Sequence, residues 1–544
     1  MSYLNINTNV LGLRNAKHLL RRASFNFSSE NIKEFSTLTP EEAFDKLIAS
    51  QANQWSEPYD PRPEDDPDGY WLSSPKLPKE FDGQFRKRRI VTSWWWYNGV
   101  HKNSLREKMT FFLHTSFTVS KDNGGGLSTH FFDHMRLLDF YAFGNLKTLS
   151  KKITFDNSML DYLDNTKNNA NNPNENYARE FLELFTILKA EQIGNGDYTN
   201  YTEIDVQQAA KVFSGIKTEA DRTIIDSDTN IPIGRIQLNT HDKNDKKFSH
   251  AFDNTVITGK DTEEGVVEEL NDFVEMVFSK DATAISFVRK LYRYFVKSEW
   301  SDEIETNVIV PLAQELKDND YEVLPIVKKL LTCNHFYDLD DSDATDEIIG
   351  SILKSPLQLF NELMTFFDIK MPNPDTEAEE FYAFFSFVHN FYLAAGGMIF
   401  WSPDSVAGYP AHYQAPDFDR HWLSSNTVLA RYKIIESLLT GRNKIGNNGR
   451  INVELNTPLF VQNVIDSPSI AKDLINELAG YLYPEPISDE RNLYFAQNLL
   501  EGFEDFYWTN EWLKFEGTGD DVIVKTRLDA LITQMINAPE FQLM

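Results

Sequence analysis

DATAISFVRKLYRYFV, residues 281–296, decides the fold class. Ala284, Val288, Leu291, Tyr292 and Phe295 recur at steps of three and four, which sets them on one face of a helix, while Arg289 and Arg293 share another. An apolar stripe of this kind buries against other helices. The same logic recurs along the chain. Thr39-Pro40-Glu41-Glu42 supplies a hydroxyl cap, a proline at the first helical position and a carboxylate at the third, ahead of AFDKLIA. Thr202 with Asp205 repeats the pattern ahead of VQQAAKVFSGI. The chain therefore reads as mainly α, a large multi-helix domain with a small β-hairpin insertion and long irregular loops.

The pattern changes over 221–262, where RTIID, GRIQL and NTVITG are short β-prone runs separated by Asp, Asn, Pro and Gly. This divides the chain into an N-terminal helical lobe (1–220), the insertion (221–262) and a C-terminal helical lobe (263–544) continuous with the first. Residues 56–83 are rich in proline and acid and read as a long ordered loop. The acidic tract 338–347 reads as a solvated connector between helices, and Gly124-Gly125-Gly126 as a turn.

With 544 residues, 41% hydrophobic and 25% charged, the composition is that of a folded soluble protein. Its 82 acidic side chains against 53 basic ones, net −29, argue against nucleic acid, whose affinity comes from lysine and arginine displacing counterions. Cys333 is the only cysteine, which excludes an internal disulfide and any Cys-x-x-Cys site, so a metal would need His, Asp or Glu. No secretory h-region opens the sequence and no stretch of about 18 apolar residues occurs, so no membrane insertion is expected. Taken alone this points to the cytoplasm, with a periplasmic or extracellular location as the alternative.

The most informative stretch for chemistry is NNANNPNENYAREFLELFTIL, residues 168–188. An asparagine-rich loop ends at Pro173, and a helix follows whose apolar stripe is Tyr177, Phe181, Leu184, Phe185 and Leu188. Asn176, Glu180 and Glu183 fall within about 60° of one another on the other side, with Arg179 beside them. Two carboxylates one turn apart suit a hard cation or an acid and base pair, and equally a solvated face on which Arg179 pairs with Glu175 or Glu183. His114 follows an aromatic run on a helix, where a neutral imidazole serves as ligand, proton carrier or satisfied core group. His241-Asp242 is a third candidate, loop-borne and able to coordinate or to cap a turn. No nucleophile elbow, phosphate-binding loop or zinc helix is present.

Two aromatic regions suggest surfaces. Trp94-Trp95-Trp96 follows the basic residues Arg86, Arg88 and Arg89, and three consecutive tryptophans on a helix cannot all face one core, so this is a candidate partner or sugar surface, together with Trp401, the alternative being packing against neighbouring helices. Residues 396–431 read as a structured aromatic loop of the kind that lines clefts, with His412, Asp417, Asp419 and His421 as polar groups, the alternative being the packing of an irregular loop.

In order along the chain, HLLRRASF (18–25), REKMTFFLHTSF (106–117), PNENYAREFLELFT, YTEIDVQQAAKVFSG, the segment from His241-Asp242 to Lys247-Phe248, FVRKLYRYFV, KSPLQLF and SPDSVAGYP resemble a bacterial family filed as domain of unknown function number 1800. The resemblance runs from about residue 15 to 435 and on toward the C-terminus. It implies a predominantly helical fold, no defined activity, some exported members and a protein partner of the sulfatase-like or phosphatase-like kind. Family members commonly read Trp-His-Asn-His-Phe where this chain has Leu113-His114-Thr115-Ser116-Phe117. The missing second histidine weakens a metal role for His114 and favours a polar network of His114, Asn174, Glu175, Arg179 and Glu180.

Three functions follow as expectations. The first is a structural, assembly or partner-binding component of a bacterial complex. The second is a hydrolase-like enzyme gathering His114, Glu180, Glu183, His241 and Asp242, with a divalent cation as a compatible cofactor. The third is a carbohydrate-binding protein using the tryptophans.

Overall fold

The Asp281–Phe295 helix forms where the spacing predicts it, and Ala284, Val288, Leu291, Tyr292 and Phe295 are all buried. It packs against the Val310–Asp318 and Arg106–Ser116 helices. The computed structural model describes residues 3–49, 55–62, 69–72, 81–123, 126–340, 347–441, 444–445, 449–450 and 453–544. Gly124, Gly125 and residues 341–346 of the acidic tract, with parts of the proline-rich loop, lie outside them.

Helices dominate, and the expected caps are in place. Thr39 N–H donates to the Glu42 carboxylate at 2.9 Å, and Glu42 N–H reaches back to Thr39 Oγ at 3.4 Å. Thr202 N–H donates to Asp205 at 2.8 Å, and the same buried carboxylate also takes the backbone and hydroxyl of Ser249 at 2.7 and 2.6 Å. One acid thus caps a helix and anchors a loop 44 residues away.

Among the described residues the β strands form three short antiparallel pairs. Ile216–Lys217 pairs with Arg235–Ile236, Lys246–Lys247 with Val256–Ile257, and Lys444–Ile445 with Gly449–Arg450. GRIQL and NTVITG each supply a strand, whereas RTIID supplies only the single bridge Ile225 to Pro232. The first pair begins at Ile216, ahead of residue 221, so the β-prone segment is stitched into the preceding lobe. One hydrophobic cluster extends from Leu11 to Phe541, and a small second one joins Leu160, Ile216 and Val266. Among the described residues no helix is long and apolar enough to cross a membrane.

The Gly12–Ala23 helix carries charge into this core. Lys17, Arg21 and Arg22 are all buried. Lys17 Nζ donates to Tyr483 O at 2.5 Å, Arg21 Nη2 to Leu482 O at 2.7 Å, and Arg22 Nη2 to Met544 O at 2.8 Å. Glu362 sits at the centre, 3.3 Å from Arg21 and 2.7 Å from Lys354, with no more than 1% of any of the three side chains exposed. Burial alone would push the Glu362 carboxyl up, but Lys354 and Arg21 hold it below its ordinary value.

Removing one member of a buried ionic group strands the others. Glu362→Ala is expected to cost about 3–5 kcal/mol, read as a lower urea midpoint at neutral pH. An unchanged midpoint would mean that Arg21 and Lys354 are satisfied without the carboxylate.

Candidate functional site

The stretch 168–188 forms a helix, but not the regular one expected. Asn176–Glu180 is α-helical, and Phe181–Phe185 widens into a π turn closed by Thr186 N–H on Phe181 O at 3.0 Å. Lys290 Nζ reaches the freed carbonyl of Leu184 at 2.6 Å, which holds the turn open. The extra residue per turn rotates the face: Leu182, Phe185 and Ile187 are buried, while Leu184 and Leu188 are only half-buried.

On the polar side, Arg179 forks onto Glu203 at 2.7 and 2.9 Å and also contacts Glu175 at 3.3 Å. Glu183 accepts from Tyr201 Oη at 2.9 Å. Glu180 lies beside it, and burial together with the Glu183 charge pushes its carboxyl up to about 7. Asn174 and Asn176 direct their amides to the carbonyls of Asp164 and Leu163, organising the preceding loop.

The other candidates lie in separate surroundings. His114 is fully buried with its ring 4.3 Å from that of Trp401, and neither ring nitrogen has a hydrogen-bond partner. Burial, reinforced by His134, lowers its pKa well below the ordinary value, so it is a neutral core group. It does not join the expected network, in which only Arg179 and Glu175 are directly bonded. His241 Nδ1 donates to Ser214 O at 2.7 Å, and its Nε2 lies 3.3 Å from Glu269, which also contacts Lys246 at 2.5 Å. Asp242 closes a turn by accepting from Asn244 N–H at 2.8 Å. Among the described residues no hydrogen bond or ion pair links the His114, Glu180–Glu183 and His241 environments. Among the described residues no group of three or more His, Cys, Asp or Glu side chains is placed to hold a metal ion.

The tryptophans are internal. Within the Phe81–Val100 helix, Trp94 meets Trp55 at 5.7 Å, Trp95 meets Trp401 at 5.0 Å, and Trp96 stacks on Phe360 at 5.3 Å while donating to Asn361 at 2.7 Å. Three tryptophans point three ways, as consecutive helical positions must, and each finds protein. Trp401 is itself 0% exposed. The basic cluster is engaged too: Arg86 pairs with Asp60, Arg88 donates to the carbonyls of Lys121 and Gly126, and Arg89 donates to Asn390 at 3.2 Å. The expected partner or sugar surface is thus interior packing, because this helix runs through the core rather than over it.

The structure instead assembles a site that spacing did not single out. Arg22, Lys108, Arg293, Gln358, His412 and Asp419 border a largely enclosed cavity of about 50 Å³ with Phe25, Phe111, Tyr294 and Trp422. Four of the eight motif segments noted above contribute lining residues: HLLRRASF, REKMTFFLHTSF, FVRKLYRYFV and KSPLQLF. The 396–431 loop adds His412, Asp419 and Trp422, as a cleft-lining loop should.

Arg22 is 2% exposed, and its Nε and Nη1 have no hydrogen-bond partner. Burial pushes its pKa down to about 9, offset in part by Asp419 and Asp338. Lys108, also buried, donates to Gln358 Oε1 at 2.5 Å and Arg21 O at 3.0 Å, and burial pushes it down to about 7. Arg293 lies between the rings of Trp300 and Phe418 at 4.9 and 4.6 Å. Ser355 caps the Pro356–Phe366 helix, whose N-terminal end, carrying partial positive charge, also borders the cavity. Burial holds His412 down at about 4, so it is uncharged. The cavity is thus bordered by three basic side chains and, among side chains, one acid, Asp419.

The sequence does carry a trace of this site. AKHLLRRA (16–23) holds three cations and no acid, so wherever that helix is buried its charges must be answered from elsewhere.

A family profile described as "Protein of unknown function (DUF1800)" matches residues 18–543, nearly the whole chain. No curated protein and no solved structure matches it.

The raised Glu180 pKa has a measurable sign. The native state prefers the protonated form, so the destabilisation grows as pH rises from the ordinary carboxylate range through about 7. Glu180→Gln should leave the Tm unchanged near pH 4 and raise it by roughly 1 °C near pH 8, the effect being small because the group is partly solvated. A gain of the same size at both pH values would contradict the assignment.

Proposed function

The chain belongs to the DUF1800 family, and on that premise we propose that it is a binding component whose enclosed cavity takes a small oxyanion, such as phosphate or sulfate. The observation that carries this reading is Arg22, a buried guanidinium that borders the cavity and has two nitrogens without a hydrogen-bond partner. Leaving a buried charged donor without an acceptor costs several times what a neutral hydrogen bond contributes. An anion supplies the missing acceptors and offsets the excess of cations. The size agrees: about 50 Å³ has room for roughly three or four water-sized centres, enough for a tetrahedral ion.

This reading also fits the role of a partner-binding protein. A sulfatase-like or phosphatase-like neighbour, which the family resemblance implies, releases ions of this class. The metal-assisted hydrolase reading finds no support in the separate surroundings of His114, Glu180, Glu183, His241 and Asp242. The sugar-binding reading finds none in the buried tryptophans.

Equilibrium dialysis of the intact chain at low ionic strength, with inorganic phosphate and sulfate as probes, tests the proposal. Saturable binding of one ion per chain is expected, weakened roughly tenfold or more by Arg22→Met. Sulfate, which does not titrate near neutrality, should bind more weakly as pH rises from about 6 to about 8, because Lys108 loses its proton across about 7 and an anion favours the charged form. That slope should flatten in Lys108→Met. No saturable binding of either ion would overturn the reading.

A further inference from the structure

The cavity wall is not made of donors alone. Asp419 accepts Leu353 N–H at 2.7 Å through Oδ2, and among the described residues no other hydrogen bond uses its carboxylate. It is also the acid that acts most strongly on Arg22. Oδ1 is therefore an acceptor without a partner among the described residues, on a side chain that borders the same cavity as Arg22, Lys108 and Arg293, a space too small for an organic counter-ion of any size.

A tetrahedral oxyanion meets such an acceptor in one of two ways. Hydrogenphosphate and dihydrogenphosphate carry a P–OH whose proton can be donated to the carboxylate while the remaining oxygens accept from the cations. Sulfate is fully deprotonated near neutrality, so one of its oxygens would face the carboxylate as like charge against like, with no proton between them. In a largely enclosed site neither charge is relieved by water. We infer that the cavity is specific for free inorganic phosphate, with Asp419 as the specificity-determining residue that accepts the P–OH proton. This rests on the oxyanion reading above and adds to it the identity of the ion.

The scale follows from how sites built around a hydrogen bond reject a ligand that lacks its counterpart, which reaches several orders of magnitude in fully buried cases. Asp419 is only half-buried, so a preference of roughly a hundredfold for phosphate over sulfate is expected.

Isothermal titration of the intact chain near neutral pH with sodium phosphate, sodium sulfate and sodium monofluorophosphate separates the possibilities. Monofluorophosphate has the charge and nearly the shape of hydrogenphosphate but a P–F in place of P–OH. It should bind as weakly as sulfate, a comparison that needs no variant. In D419N the side chain can still accept Leu353 N–H while turning an amide donor toward the cavity, so phosphate should lose its advantage and sulfate should gain. Phosphate, sulfate and monofluorophosphate binding equally well to wild type would overturn the inference and leave the oxyanion reading standing. So would an unchanged phosphate-to-sulfate ratio in folded D419N. No binding of any of the three would overturn both.

Discussion

Three cations on the Gly12–Ala23 helix are drawn into the interior, and the rest of the structure is arranged to receive them. Lys17, Arg21 and Arg22 each donate to main-chain carbonyls of segments far along the chain, at 481–484, at 348 and at 544. Carbonyl oxygens carry partial rather than full charge, so each bond neutralises only part of what burial uncovers. Full compensation reaches only Arg21 and Lys354, through Glu362. The helix is thereby positioned by directional contacts, and the segments it touches are brought against one another by it. This explains why residues from near both ends of the sequence share a single core.

The cavity is where that compensation runs out. Arg22 uses Nη2 on two main-chain oxygens and leaves its other two nitrogens without a partner, and among the described residues Lys108 is held by an amide and a carbonyl with no carboxylate in contact. A chain carrying a net charge of −29 thus encloses a small volume of opposite sign. Its acids are mostly outside, some of them paired at the surface, as Arg289 with Glu305 or Lys147 with Glu275, where water screens them. The contrast between acidic exterior and cationic interior is a consequence of sorting by burial.

What was legible in the sequence was local. The 281–295 stripe, the Thr39 and Thr202 caps, the mainly helical class and the family are carried by residues within a few turns of each other, or by motifs in order. What was not legible depends on who arrives from elsewhere. Periodicity sets Trp94, Trp95 and Trp96 on different faces but cannot say that Trp55, Trp401 and Phe360 cover all three. The carboxylates at 180 and 183 read correctly as neighbours, yet the π turn beside them is held open by Lys290, a hundred residues on. Likewise nothing local singles out Arg22, Lys108 and Arg293, each with another base within three residues, and they acquire meaning only when four segments converge. The 396–431 loop could be read as lining a cleft, since loops built from spaced prolines and aromatics do so, but not which cleft.

The ties of the first helix also set a timetable. Lys17 is separated from its acceptor at Tyr483 by 466 positions. At ribosomal rates of about 5–20 residues per second, that interval lasts roughly 20–90 s. Throughout it the helix has an apolar side and no partner, the condition under which nascent segments associate with the wrong surface. Its lysine and two arginines keep it hydrated and mutually repulsive during that wait. The charges that are hardest to bury in the finished protein are therefore the ones that protect the unfinished one.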